Sequence, residues 1–119
     1  MPTRAEQMQQ NLKTLVTNTP DVEGAAMVSV DGLVLASALP AGTDEDRVSA
    51  IAAAVLSLGE RTSQELKRGT LEQVYVKGNN GYVILMQAGP DAVLETIAGP
   101  QAKLGMVLLD MKQIGRAHV

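Results

Sequence analysis

The stretch 43–69, TDEDRVSAIAAAVLSLGERTSQELKRG, constrains this chain more than any other, because only it is long enough and well enough punctuated to be a central helix. Thr43 can cap the first turn, and Asp44, Glu45 and Asp46 place carboxylates where unpaired N–H groups and the positive end of the helix dipole favour them. Lys67 and Arg68 fill the last turn at the negative end, and Gly69 can adopt the left-handed conformation that stops a helix. At 1.5 Å per residue such a helix runs ~35 Å, enough to cross a small domain. Val48, Ile51, Val55, Leu58, Thr62 and Leu66 recur at three- and four-residue steps and predict an apolar stripe seated on a core. The opposite side carries Ala50, Ala53, Ala54 and Ser57, then Glu60, Arg61 and Gln64. Small side chains there let a second backbone approach, so this side is a candidate contact surface, although alanine also suits a solvated helix.

The rest of the chain supplies what this helix covers. Thr3 and Glu6 have capping-box spacing, Met8, Leu12, Leu15 and Val16 line one face of a first helix, and Pro20 ends it. In 22–37, two apolar segments flank Asp31-Gly32, a strong hairpin signal. Leu39 to Gly42 link this hairpin to the long helix. After Gly69, LEQVYVK alternates with mixed faces and reads as an edge strand. Gly78-Asn79-Asn80-Gly81 turns into YVILMQA, and Gly89-Pro90-Asp91 turns again into AVLETIA. Gly99-Pro100 precedes a last helix with Leu104, Val107, Leu108, Met111 and Ile114 on its buried stripe.

Every strand-to-strand link is short enough for an antiparallel hairpin. The expected fold is therefore α+β: a three-layer α/β/α sandwich with a five-stranded antiparallel sheet in the order α-β-β-α-β-β-β-α. The long helix would cover one face and the two terminal helices the other. With 119 residues, 1–119 is expected to form one domain.

Composition narrows the function. Tyr75 and Tyr82 are the only aromatics, which leaves no stacking platform for bases. The formal charge of −3 and the lack of a basic run argue against nucleic-acid or anionic-membrane partners. The absence of cysteine removes disulfides, thiolate chemistry and the common zinc motifs. The polar N-terminal segment has no signal-peptide core, and no run approaches the ~20 apolar residues of a membrane span, so a cytoplasmic location is expected.

Catalytic candidates are equally thin. His118 is the only histidine and is read as a tail residue, so no serine has a histidine partner within an ordered element. Asp44-Glu45-Asp46 is explained by helix capping rather than by a metal. No GxxxxGK[ST] loop occurs, and Met27, Met86, Met106 and Met111 read as core fillers. The chain is expected to be no enzyme, with no cofactor and no metal. What remains is the open third-strand edge and the alanine-rich helix side, which a two-fold axis could use twice in a homodimer.

The order and spacing of these segments resemble the Roadblock/LC7 domain family. The resemblance runs from VEGA at 22–25 through DGLVLAS, the Asp-rich start of the long helix and GTLEQVYVKGNNGYVILM to AKLGMVLLDM, with Lys103-Leu104-Gly105 before the last helix. It implies a profilin-like or longin-like sandwich and a homodimer with joined sheets and paired second helices. Bacterial members look like regulators of Ras-like small GTPases, so the implied function is a non-catalytic homodimeric adaptor that binds a Ras-like small GTPase and modulates its hydrolysis. The alternative is a small-ligand-sensing or scaffold domain in a signalling complex. The interface positions carried over are Ala50, Ala53, Ala54, Ser57, Glu60, Arg61 and Gln64, with Glu72, Val74 and Val76 around the third strand.

Overall fold

The computed structural model describes residues 1–118, His118 by its backbone only, so the reading of that side chain as a tail residue lies outside the described residues. In chain order the elements are α1 (Arg4–Asn18), β1 (Val22–Ser29), β2 (Val34–Ala38), α2 (Glu45–Glu65), β3 (Gln73–Gly78), β4 (Gly81–Gln87), β5 (Ala92–Ala98) and α3 (Leu104–His118). The strands form one antiparallel sheet in the spatial order β2-β1-β5-β4-β3. This is the expected sandwich, with α2 on one face and α1 and α3 on the other.

Local chemistry explains most boundaries. The Thr3 hydroxyl accepts from the Glu6 N–H at 3.1 Å, and the Thr3 N–H donates to the Glu6 carboxylate at 3.4 Å, completing the capping box of α1. Gly32, at φ 89°, makes the turn between β1 and β2. Two asparagines suffice to join β3 to β4, whose ladder closes at Gly78 and Gly81.

The termini of α2 differ from expectation by one to four residues. Asp44, not Thr43, is the N-cap, its carboxylate accepting from the Arg47 N–H at 3.1 Å; the Thr43 hydroxyl instead donates to the Pro40 carbonyl. The helix stops at Glu65. Lys67 takes the left-handed conformation, at φ 58°, while its N–H donates to the Gln64 carbonyl and that of Arg68 to the Ser63 carbonyl. These two bonds make a Schellman ending with lysine at the position where glycine is usual.

The sheet has a core on each face. Toward α1 and α3, Leu12, Leu15, Met27, Ile84, Leu94, Val107 and Met111 are buried together. Met106 departs from its expected core position and is exposed. The Thr19 hydroxyl, at the end of α1, donates to Asp110 of α3 at 2.6 Å and ties the outer helices together. The α2 side is smaller: Ala52, Leu56, Leu85 and Val93 form its buried cluster, flanked by Val55, Leu71 and Val74.

The face that α2 turns to the sheet is not the predicted one. Ser49, Ala52 and Leu56 are buried, whereas Ile51, Leu58 and Leu66 of the expected core stripe are 54%, 67% and 64% exposed. Relative to the prediction the helix is rotated by about 100°, one residue's worth of turn. The cause is steric. Ser49, Ala52 and Gly59 are small, and small residues let a helix axis approach the sheet. A Cβ on Gly59 would meet Val74 at 2.7 Å, so α2 is already as close as it can come.

Candidate functional site

The two sheet edges are unequal. Gln9 of α1 donates its side-chain amide to the Ser37 carbonyl and accepts from the Ser37 N–H at 3.1 Å, so its carboxamide acts as a strand mimic on β2. That edge is also packed against α1. β3 pairs with β4 on one side only, and from Tyr75 to Gly78 its residues are exposed. Its outward N–H and C=O groups are therefore the free template for another strand.

Beside this edge runs an apolar groove. α2 lies over β1, β2 and β5 and reaches β3 only in part, so the sheet face between α2 and the tip of β3 is uncovered. A cavity of about 340 Å³ opens there, walled by Val48, Ile51 and Val55 of α2 and by Val76, Val83 and Ile97 of the sheet. It is succeeded along the helix by a shallower depression lined by Leu58, Thr62, Leu66, Leu71 and Val74. Exposed large aliphatics in one continuous strip are uncommon on a surface that meets only water and mark an interaction site.

At the floor of the cavity lies one polar group. Glu95 sits in the middle of β5, between Ala26 of β1 and Leu85 of β4, and is 3% exposed. Its Oε1 has no hydrogen-bond partner among the described residues. Burial without compensation disfavours the charged form and pushes the Glu95 carboxyl up to about 7 from an ordinary 4.5. Between those values the folded chain holds a proton that the unfolded chain releases, so stability is full in acid and is lost as pH rises toward 7. Urea unfolding of dilute chain should show this as a fall of about 3 kcal/mol between pH 4.5 and pH 8, and Glu95→Gln should remove most of it.

The residues chosen from sequence do not gather in one place. Ala50 and Ala53 border the β1–β2 turn of their own chain, within 3.7 Å of where a Gly32 Cβ would lie, so Ala53 is part of an internal contact. Ala54, Ser57, Arg61 and Gln64 are exposed, and Glu60 is half-buried. Val74 packs inward on the α2-side core and against Gly59, which removes it from the free edge. Glu72 is exposed just before β3, and Val76, 52% exposed, forms a wall of the groove. Sequence reasoning missed Ile51, Leu58 and Glu95. The signal for Glu95 was present as the single carboxylate in the otherwise uncharged run AVLETIA.

Among the described residues no group of three or more His, Asp or Glu side chains could hold a metal, and no helix is long and apolar enough to cross a membrane. The Roadblock/LC7 domain family matches residues 8–98, from within α1 to the end of β5. The chain belongs to the Roadblock/LC7 family. Its relatives include the uncharacterized protein MJ0310 of Methanocaldococcus jannaschii, 35% identical over 98 residues and covering 82% of this chain and 85% of the relative. A Roadblock/LC7 domain from Streptomyces avermitilis superposes with a TM-score of 0.87 at 24% identity, covering 92% of each chain. Gliding protein mglB from Thermus thermophilus gives 0.88 at 20% identity, covering 99% of this chain and 90% of the other. Profilin II of Acanthamoeba castellanii shares the architecture at 0.66 and 16% identity over 92% of this chain and 94% of the other, which makes the Roadblock/LC7 sandwich profilin-like.

Proposed function

We propose that this Roadblock/LC7 chain is a non-catalytic, self-associating adaptor that binds a Ras-like small GTPase in the cytoplasm. The observation that carries the reading is the apolar groove along Ile51, Val55 and Leu58, continuous with the open β3 edge. With Gln9 occupying both backbone groups of Ser37 on β2, β3 is the freer edge for strand pairing. A two-fold axis beside β3 would join two sheets edge to edge and lay the α2 of a second copy over the uncovered face of the first. One patch then satisfies itself, as an isologous contact requires. Single-domain organisation over 1–119 is part of the same reading.

The groove filled by a second copy leaves the far side of α2 open. Ala54, Ser57, Arg61 and Gln64 lie there, small in the middle and polar at one end, and we assign this side to the GTPase. The two contacts do not compete. Regulation of this kind needs no catalytic group from the adaptor, because holding a GTPase loop in one arrangement shifts its equilibrium by differential binding alone.

The test is titration calorimetry with a Ras-like GTPase encoded in the same genome, loaded with GDP or a non-hydrolysable GTP analogue, beside sedimentation of the chain alone. Binding that differs between the two nucleotide states is expected, together with a dimer at micromolar concentration. Absence of binding in both states would remove the GTPase. A ligand-sensing role has the cavity above Glu95 in its favour, but that cavity opens broadly onto an apolar strip longer than a small molecule needs, which suits a helix better.

A further inference from the structure

We infer that Glu95 enters the self-association interface as a neutral carboxylic acid, so that joining two copies takes up protons and acid favours the paired state. The inference rests on the pairing proposed above and adds a control to it.

The geometry leads to it in three steps. Glu95 lies at the floor of the cavity that the second copy would close, and its Oε1 is buried without a partner. Among the described residues no counter-charge lines the cavity around it. From α2 the cavity receives Val48, Ile51, Ala52 and Val55, from β3 Val76, from β4 Val83 and Leu85, and from β5 itself Ile97, and none of these titrates or carries charge. Across the ladder β1 presents Ala26. The remaining route to water is the mouth of the cavity. Closing it with an aliphatic helix side takes away the last solvation available to a carboxylate, while a neutral acid loses far less.

The linkage can be sized. In the single chain the carboxyl titrates at about 7, held up by burial. If both carboxyls are neutral in the pair, two protons are bound per association event above that pH. The dissociation constant should then rise roughly 100-fold between pH 6 and pH 8. Salt-dependent surface pairs would not give that slope.

The experiment is sedimentation velocity over a concentration series at pH 6, 7 and 8 on the full chain and on Glu95→Gln, which keeps the shape of the side chain and every other titrating group. The full chain should weaken by about two orders of magnitude across the series, while Glu95→Gln should stay near the pH 6 value throughout. As a check that needs no variant, the heat of dissociation on dilution at pH 7.5 should change with the ionisation enthalpy of the buffer. A dimer with no pH dependence, or one that tightens in alkali, would overturn the inference and leave pairing intact; the second result would mean a partner cation on an ionised Glu95. A slope retained by Glu95→Gln would overturn it too. A chain that stays monomeric at every pH would remove the pairing itself, and this inference with it.

Discussion

Leu58→Glu is expected to leave the fold intact and to weaken pairing of two chains by about 100-fold, near 2.7 kcal/mol. Leu58 is 67% exposed, so its replacement removes little buried area from the single chain and should change stability by no more than about 0.5 kcal/mol. It lies in the groove between Val55 and Thr62, where a second helix would bury it. A carboxylate there must be desolvated on pairing, in a depression whose central walls, Val55, Leu66, Leu71 and Val74, are aliphatic. Sedimentation velocity of the variant beside circular dichroism measures both halves of the statement. A variant as dimeric as the parent would take the groove out of the interface and return attention to Ala54, Ser57 and Arg61. Arg61→Glu is the matched control, since it changes charge on the side assigned to the GTPase and should leave pairing within a few fold.

Gly81→Ala should cost about 3 kcal/mol or more of folding stability. Gly81 has φ 143°, and a Cβ built on it would lie 2.1 Å from the Ala98 carbonyl oxygen and 3.1 Å from the Gly99 Cα. Both neighbours are backbone, so no side chain can swing aside. Either β4 moves off β5 at the Tyr82–Ala98 pair or the turn unwinds. The same ladder sets Val83 and Leu85 against Ile97 and Glu95, so groove shape should suffer with stability. Gly78, at the other end of the same turn, has nothing within 4 Å of where a Cβ would lie and no left-handed φ. Gly78→Ala should therefore stay within about 1 kcal/mol of the parent in urea unfolding. Equal losses for the two variants would mean that the turn, rather than the β4–β5 contact, is the source.

Much of the fold was legible because it is written in short-range chemistry. The capping box of Thr3 and Glu6, the Asp31-Gly32 turn and the Val107–Met111 stripe each depend on residues a few positions apart, and each forms as expected. The candidate site was half legible. Val76 and the β3 edge were anticipated, and the structure leaves both exposed. The α2 face was placed one residue away from where it lies, because the periodicity of Val48, Ile51, Val55 and Leu58 marks an apolar stripe without saying which molecule covers it. Ala53 illustrates the same gap from the other side: its small side chain receives a neighbour, but that neighbour is the chain's own β1–β2 turn.

By itself, then, the sequence determined the elements, their order, their antiparallel connections and the absence of common catalytic and metal motifs, all of which follow from local propensity and hairpin-length links. The tertiary structure decided the rest. It placed β5 between β1 and β4, a pairing of residues far apart in the chain that no local rule specifies. It turned the small residues of α2 inward, since only they allow helix and sheet to approach within reach of Leu85 and Val93. In doing so it left Ile51, Leu58 and Leu66 of α2 facing outward beside an open edge, and it set the Glu95 carboxyl at the floor of the neighbouring cavity, with no hydrogen-bond partner for its Oε1 among the described residues.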